Sequence, residues 1–425
     1  MNDDTPNGTE DHRADSERSK GSAAWNRRGM LQAAGVTALG AGLAGIGAVP
    51  AAAKPWKDKK SKKAKKDKGR SEEGIVRGEL AFPASGAFTI VQFNDTQDSH
   101  TTDVRTTELQ NAVLDDAKPD FVVINGDVID GGPKTVTEVK QAINNVVLPM
   151  EQRQIPWALT FGNHDEDSTG KTGFDEADMI DFISQYRYNL NTTGADVTGT
   201  SNQVVTVSSS TGDDDAFAIW LLDSGRYAPK EIAGQSLEGY PNWDWLRFDQ
   251  IEWYAQASRA LEERAGRLVP GLVFQHIALH EHRMMWYSSI DFRGESAHPA
   301  AKKKHSIVGE RNENECPGPF NSGMFNAMLS RGDVQGLFVG HDHINTYSGN
   351  YFGIELGYSP STGFGPYGLP GEKRNQLRGA RVFTLEEGVD GVYTGSEVRF
   401  ARDYGIDISP AAQRGTPAEF PEYVK

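Results

Sequence analysis

The 425-residue chain carries a set of oxygen and nitrogen donors suited to binding metal ions. Each donor follows an apolar stretch, and the set comprises Asp95, Gln97, Asp127, Asn163, His164, His276, His341 and His343. Carboxylate, carboxamide and imidazole groups together suit Mn, Fe, Zn or Co. The chain has one cysteine, which excludes an intramolecular disulfide and a zinc site of four cysteines. The set therefore predicts a metal site assembled from distant parts of the chain.

The number of donors indicates two ions rather than one. His164 can be set aside, because Asn163 beside it already supplies a donor at that strand end. Seven donors then remain. His341 and His343 form a His-x-His pair whose side chains point the same way on an extended backbone. Two ions ~3.5–4 Å apart are a recurring arrangement for hydrolysing phosphate esters. Asp127 is the candidate bridging carboxylate, because Gly126 before it allows a close backbone approach.

The elements that must position these donors alternate between strand and helix patterns. Apolar runs at 88–93, 121–127 and 157–165 are separated by two segments with helical spacing, one ending before Pro119 and one starting at Val136. This βαβαβ pattern predicts an α/β fold, in which ligands gather at the carboxyl ends of strands. A simple turn is the alternative at any one strand end, but the recurrence at three strands favours a shared site.

The rest of the body has further predicted elements and no internal boundary. Strands are predicted in the segments QVVTVS, FAIWLLDSG, GLVFQH, VQGLFVGHDH, YFGIEL, RVFTLE and SEVRF, and an amphipathic helix at 245–264. We expect one domain over 75–405 and an extended tail over 406–425. Substrate choice would depend on the loops between these elements, and the long segment 281–320 could cover the site.

The N-terminal segment is typical of an export address. Arg27 and Arg28 precede a mildly apolar stretch from Met30 to Val49, which ends at Ala51–Ala53. The segment resembles a twin-arginine (Tat) export signal. Residues 1–53 are therefore predicted to engage the Tat machinery, with only transient membrane contact, and the protein to be secreted or associated with the cell envelope. A retained membrane anchor is the alternative.

Charge divides the chain and bears on its partners. Residues 54–74 are rich in lysine and predict a disordered linker. Residues 74–425 carry 29 Lys/Arg against 49 Asp/Glu, a formal charge of −20. Such an acidic body argues against a nuclease or another nucleic-acid partner, because phosphate contacts need Lys and Arg. A small phosphorylated substrate remains compatible if metal ions supply the positive charge.

The donor motifs together resemble those of the calcineurin-like metallophosphoesterases over roughly 88–385. The motifs are Asp95-x-Gln97, GD at 126–127, GNHD at 162–165, His276 and GHDH at 340–343. Looser features are similar to the branch of purple acid phosphatases: LDSG, QIEW, NSGMF and STGFGPYG. The resemblance implies the layered metallophosphoesterase fold, with central mixed sheets flanked by helices.

The resemblance also implies a mechanism and assigns the donors to two ions. One ion would be held by Asp95, Gln97, Asp127 and His343, and the other by Asp127, Asn163, His276 and His341. A hydroxide held by the metals would attack the phosphorus of a phosphate mono- or diester. His164 would be the catalytic histidine, lying near the ester oxygen and assisting its departure.

Two positions depart from the family pattern. The family usually has a histidine where Gln97 stands, and a carboxamide oxygen is a weaker donor, so Gln97 is either a ligand or a spectator. His100 is a possible substitute, three residues further on. Asp130 stands where purple acid phosphatases carry the tyrosine that binds ferric iron, so a ferric requirement is not implied. The rival interpretation is a catalytically silent metal- or phosphate-binding protein on the same fold.

Overall fold

The apolar runs form the strands of two mixed sheets in the computed structural model, which describes residues 73–212, 214–289 and 294–425. The predicted export signal and all but the last two residues of the predicted linker lie outside the described residues. Within the described ranges, no helix is both long and apolar enough to cross a bilayer.

The described residues form fourteen strands. They are β1 (Ile75–Ala81), β2 (Ala87–Phe93), β3 (Phe121–Asn125), β4 (Trp157–Thr160), β5 (Gln203–Ser208), β6 (Asp215–Leu222), β7 (Glu231–Ile232), β8 (Gln235–Ser236), β9 (Gly271–Gln275), β10 (Val334–Val339), β11 (Ser348–Tyr351), β12 (Ile354–Tyr358), β13 (Gly379–Glu386) and β14 (Tyr393–Phe400).

Eight α-helices accompany the strands in the same ranges. They are α1 (Val104–Ala117), α2 (Val136–Arg153), α3 (Thr169–Thr172), α4 (Glu176–Ile183), α5 (Phe248–Ala265), α6 (His280–Tyr287), α7 (His298–His305) and α8 (Met324–Arg331). Local chemistry sets several of their ends. The Asp103 side chain caps α1 by accepting from the Arg105 backbone, and α1 stops at Lys118, whose left-handed backbone precedes Pro119.

The strands pair into a seven-stranded sheet, ordered β1-β5-β6-β9-β10-β12-β11, and a five-stranded sheet, ordered β14-β13-β2-β3-β4. In the smaller sheet β2, β3 and β4 are parallel, and β13 joins β2 antiparallel. In the larger sheet β9 runs parallel to both β6 and β10. Parallel neighbours end at the same edge, so each sheet brings several strand ends together.

The two sheets pack face to face, with helices on their outer faces. The core between the sheets contains large apolar side chains from both, among them Phe88, Ile90, Phe121, Phe217, Phe274 and Phe338. A second core joins the smaller sheet to α1, α2 and α4, and a third joins the larger sheet to α5, α6 and α8. The predicted layered α/β fold with mixed central sheets flanked by helices is confirmed.

Two local expectations need correction, and one segment contains helices that were not predicted. The helix predicted from 245 begins at Phe248. Arg247 before it has an extended backbone and acts as the N-cap, and its N–H donates to Gln250 Oε1. The single strand predicted for YFGIEL is wrong. Phe352 and Gly353 have positive φ values of 53° and 93°, and the tight turn they form separates β11 from β12. The segment 281–320 contains most of α6 and all of α7, which the sequence analysis did not predict.

The C-terminal residues 406–425 lie along the outer layer of the smaller sheet. The buried Arg105 guanidinium donates to three backbone carbonyls between 407 and 411. Arg414 contacts the carboxylate of Asp98, in the loop that follows β2. The tail is therefore tied to the loop that also carries the first predicted donors.

Candidate metal centre

The eight predicted site residues come together where strands of the two sheets end. Each lies in a loop that follows β2, β3, β4, β9 or β10. Loops of the smaller sheet supply Asp95, Gln97, Asp127, Asn163 and His164, and loops of the larger sheet supply His276, His341 and His343. The site therefore needs both sheets to be packed before it exists.

Two groups of buried side chains in this cluster could each hold an ion. In one group, donor atoms of Asp127, His276 and His341 all lie within 4.8 Å of one another. In the other, donor atoms of Asp95, Asp127 and His343 satisfy the same limit. Asp127 belongs to both groups, which is the arrangement of two adjacent ions that share one carboxylate.

Close contacts between acids and histidines define the centre. His276 Nε2 lies 3.1 Å from Asp127 Oδ2 and 3.8 Å from Asp95 Oδ1. His343 Nε2 lies 3.3 Å from Asp95 Oδ1. The carboxylates and imidazoles thus face a common interior.

Buried donor atoms without partners test whether metal ions fit here. Among the predicted ligands, all of which are described residues, five donor atoms are buried without a hydrogen bond, although the second and fourth face each other across 3.1 Å: Gln97 Oε1, Asp127 Oδ2, Asn163 Oδ1, His276 Nε2 and His341 Nε2. A buried polar atom left unpaired costs about 1–3 kcal/mol, so a cluster of them needs an explanation. Metal coordination supplies it, and the mixed oxygen and nitrogen donors fit two ions without fixing their identity.

The histidine rings are oriented by contacts on their outer nitrogens. His276 Nδ1 lies 3.0 Å from the carbonyl oxygen of Asn125 and donates to it. This contact directs Nε2 at the acids, so a metal ion bound there would take the place of the proton on Nε2. Asn125 also donates from Nδ2 to the carbonyls of Gln275 (2.9 Å) and Phe338 (3.2 Å). The sequence analysis missed this residue, which joins the two sheets directly behind the centre.

Two glycines make the close approach possible. A Cβ at Gly126, where φ is 80°, would lie 2.5 Å from His276 Nδ1, and one at Gly162 would lie 2.4 Å from Asp127 Oδ1. Any larger residue at either position would push a donor out of place. Asp95, Asp127 and His341 themselves adopt positive φ values of 48°, 48° and 72°. Strained backbone of this kind, costing of order 1 kcal/mol or more each, is typical of functional sites.

Asp165 fastens two of the donor loops together and was also missed as a site residue. Its carboxylate accepts from the backbone N–H groups of Val128 (2.8 Å), Ile129 (3.1 Å) and Gly162 (2.7 Å). Burial, aided by the charge of Asp127, raises the pKa of Asp165 to about 7. Asp165 is the last residue of the GNHD motif, and its place in that motif could have marked it as a site residue.

Burial and mutual charge set the protonation of the donors. Burial opposes the ionisation of Asp127, but the charge of His276 outweighs it and lowers the pKa of this carboxyl. Burial would lower the pKa of His276, yet the charges of Asp127 and Asp95 raise it to about 10. Burial and the charge of His276 lower the pKa of His341 to about 3, so that ring is neutral near pH 7 and its lone pair is available.

His164 stands apart from both groups. Its side chain is 33% exposed, whereas the three predicted histidine ligands are at most 6% exposed as residues. Its Nδ1 lies 2.5 Å from Asp167 Oδ2, which leaves Nε2 as the nitrogen available to a substrate. Its backbone N–H donates to Asp127 Oδ1 over 2.8 Å, so the ring is anchored at the edge of the centre.

The two departures from the family pattern have different surroundings. Gln97 has a buried, unpartnered Oε1, and its backbone N–H donates to the Asp127 carbonyl over 2.9 Å. His100 belongs to neither donor group found in the described ranges. The Asp130 carboxylate accepts from the Gly132 backbone over 2.8 Å and so caps its own loop.

Replacing Gln97 tests whether its oxygen is a ligand. Gln97→His should bind the ion of the Asp95 group more tightly, because imidazole is a stronger donor than a carboxamide for Zn, Fe or Co. The backbone φ of 30° does not oppose the change, since histidine tolerates the left-handed region better than most residues. Gln97→Ala should weaken the same site and spare the His276 group. Competition against a chelator of known affinity measures both, and two variants that match the wild type would make Gln97 a spectator.

The fold and the two donor groups define a layered α/β protein with a candidate dinuclear metal centre. The family model described as calcineurin-like phosphoesterase matches residues 88–345, more than half of the chain. The chain therefore belongs to the calcineurin-like phosphoesterase family.

Arabidopsis relatives named as purple acid phosphatases support the predicted branch of that family. The chain is 28% identical over 349 residues to an Arabidopsis thaliana protein named "Probable inactive purple acid phosphatase 29", covering 73% of this chain and 79% of the relative. It is 28% identical over 240 residues to the Saccharomyces cerevisiae "Phosphatase DCR2", covering 55% of this chain and 38% of that relative. A solved dimetal phosphatase from Danio rerio matches at 12% identity with a TM-score of 0.43, covering 74% of this chain and 99% of the solved chain.

Proposed function

We propose that the protein is a dinuclear metal-dependent phosphoesterase that hydrolyses phosphate mono- or diesters. One observation carries the proposal: two buried donor groups share Asp127, and a partly exposed histidine, His164, stands beside them. Asp95, Gln97 and His343 would complete one ion's shell. Asn163, His276 and His341 would complete the other's.

Two bound cations would neutralise phosphoryl charge and lower the pKa of coordinated water from 15.7 to about 7. The chain's own residues supply the remainder. His164 would present Nε2 to the ester oxygen and give it a proton as the bond to phosphorus breaks. Asp167 positions that ring, and is itself held by Arg226 (2.8 Å) and by the hydroxyl of Tyr227 (3.1 Å).

A second candidate function is a silent metal- or phosphate-binding protein. Two observations favour it: Gln97 replaces the usual histidine, and relatives such as the Arabidopsis protein are named inactive. Retention of His164 and of the other donors favours the enzyme.

Metal analysis with turnover assays separates the two functions. Protein purified without chelator should contain about two transition-metal ions per chain. It should hydrolyse p-nitrophenyl phosphate or its bis-ester, lose activity to a chelator and regain it with metal. Two ions without turnover would support the silent protein, and failure to take up any metal would contradict both functions.

We also propose that the protein is exported by the Tat pathway. The support is the Arg27–Arg28 pair ahead of the apolar stretch. Replacing both arginines with lysine should retain the protein in the cytoplasm, as fractionation and immunoblotting would show. Unchanged appearance outside the cytoplasm would point to another route.

A further inference from the structure

Two histidines of the centre each contact an aromatic ring that the proposed reaction does not use. The Trp243 ring meets His341 edge to face, with centroids 4.5 Å apart. The Tyr367 ring stacks on His343, with centroids 4.1 Å apart and an angle of 22° between the planes. One ring therefore lies against a histidine of each donor group.

These rings are partly open to solvent. Trp243 is half-buried and Tyr367 is 48% exposed. His343 covers one face of the stacked Tyr367 ring. Tyr227 adds a third ring, 5.8 Å from Trp243 and 6.4 Å from His164 between centroids.

The backbone holds the rings in place without a ligand. Ala228 N–H donates to the Asn242 carbonyl, and Asp244 N–H to the Arg226 carbonyl, on either side of the bridge between Tyr227 and Trp243. On the other side, the Arg378 guanidinium donates to the carbonyls of Pro366 (2.6 Å) and Tyr367 (2.9 Å). Rigid aromatic surfaces bind a partner with little ordering cost.

Charged groups beside the rings are acidic or already paired. Arg226 is bonded to Glu166 (3.1 Å) and Asp167 (2.8 Å). The Tyr367 hydroxyl donates to Glu313 over 2.8 Å. A leaving group lying against these rings would meet π-faces and carboxylates, which repel further negative charge.

We infer that Trp243, Tyr227 and Tyr367 form a subsite for the leaving group, and that the preferred substrates are phosphate esters of planar, uncharged aromatic alcohols. The inference rests on the proposed function for its reaction, but binding tests it separately. The rings would stack on the leaving group while His164 stands at the ester oxygen.

A matched pair of non-hydrolysable ligands provides the first test. Calorimetry on the metal-loaded protein should show phenylphosphonate binding more tightly than methylphosphonate. Trp243→Leu and Tyr367→Leu should each reduce that preference by roughly 5- to 100-fold, as loss of an aromatic stacking partner does. Phe352→Leu is the control, because Phe352 is 56% exposed in the turn between β11 and β12, outside the centre.

The ratio of the two affinities cancels any damage to the metal centre. Equal weakening of both ligands in the Trp243 and Tyr367 variants would overturn the subsite, since a disturbed centre would do this. Trp243→Phe keeps a ring in place and should retain most of the preference. A wild type without preference for phenylphosphonate would also overturn the inference.

Turnover provides the second test and separates this inference from the proposed function. The ratio of kcat/KM for phenyl phosphate over methyl phosphate should fall in the Leu variants by a similar factor, and a para-carboxylate on the phenyl ring should lower kcat/KM in the wild type. An unchanged ratio, or a preference for the carboxylated ester, would contradict the subsite. Absence of all turnover with the phosphonate preference intact would instead reject the proposed reaction and leave the aromatic subsite standing.

Discussion

Asp127→Asn is expected to lose metal from both donor groups and to lower turnover on the order of 10³-fold or more. Asp127 is the carboxylate that the two groups share. Asparagine keeps one neutral oxygen, which cannot bridge two cations as a carboxylate does. The lost stabilisation should be large because a bound ion contributes several kcal/mol to the transition state, at about 1.4 kcal/mol per factor of ten.

The variant should still fold, which makes the result interpretable. Asparagine tolerates the positive φ of 48° found at this position. Its amide can donate to His276 Nε2, which lies 3.1 Å from Asp127 Oδ2, while its oxygen can still accept from His164 N–H. Thermal unfolding of the metal-free proteins should therefore show no large loss of stability.

Metal content per chain is the measurement, and His341→Ala is the matched control. Loss of His341 removes a ligand from one group only and should leave the Asp95 group able to hold its ion. An Asp127→Asn protein with the full metal content and wild-type turnover would contradict the shared-ligand arrangement.

His164→Ala is expected to lower turnover by ~10²–10⁴-fold with metal content near that of the wild type. The ring lies outside both donor groups and is one-third exposed, so its removal leaves every predicted ligand in place. The loss should fall mainly on kcat, because the proton is needed as the ester bond breaks.

The leaving group shows whether His164 acts as the acid. An alkyl ester needs a proton on its departing oxygen more than a p-nitrophenyl ester does, so the deficit should be larger for the alkyl ester. Asp167→Asn should reproduce part of the effect, since Asp167 orients the ring through the 2.5 Å contact. Equal deficits for both esters would assign His164 to substrate positioning, and loss of metal would make it a ligand.

The sequence predicted the donors because each depends on local chemistry. An apolar run followed by glycine and a polar donor is typical of a buried strand that ends at a functional site. The pattern held at 126–127, 162–165 and 340–343, where a glycine stands against neighbouring donors. The βαβαβ order followed from the same runs, since hydrophobic periodicity reports which face of an element is buried.

Other residues could not be predicted because their roles depend on contacts between distant segments. Trp243 reaches His341 from a loop almost one hundred positions earlier in the chain. Asn125 fastens the sheets through carbonyls 150 and 213 positions away. No spacing rule relates such positions, since their proximity follows from how the two sheets pack.

The sequence by itself predicted the layered α/β class, which the structure confirms, together with the candidate donors and the separation of His164 from them. Local periodicity and side-chain chemistry suffice for these predictions, because each prediction depends only on one strand and the loop that follows it. Only the tertiary structure decided how closely the donors of the two predicted groups approach Asp127, that Gln97 Oε1 is buried without a partner, and that aromatic rings flank the centre. These features arise where the strand ends of two sheets lie against each other, and the sequence of a single strand does not specify the distances across that contact.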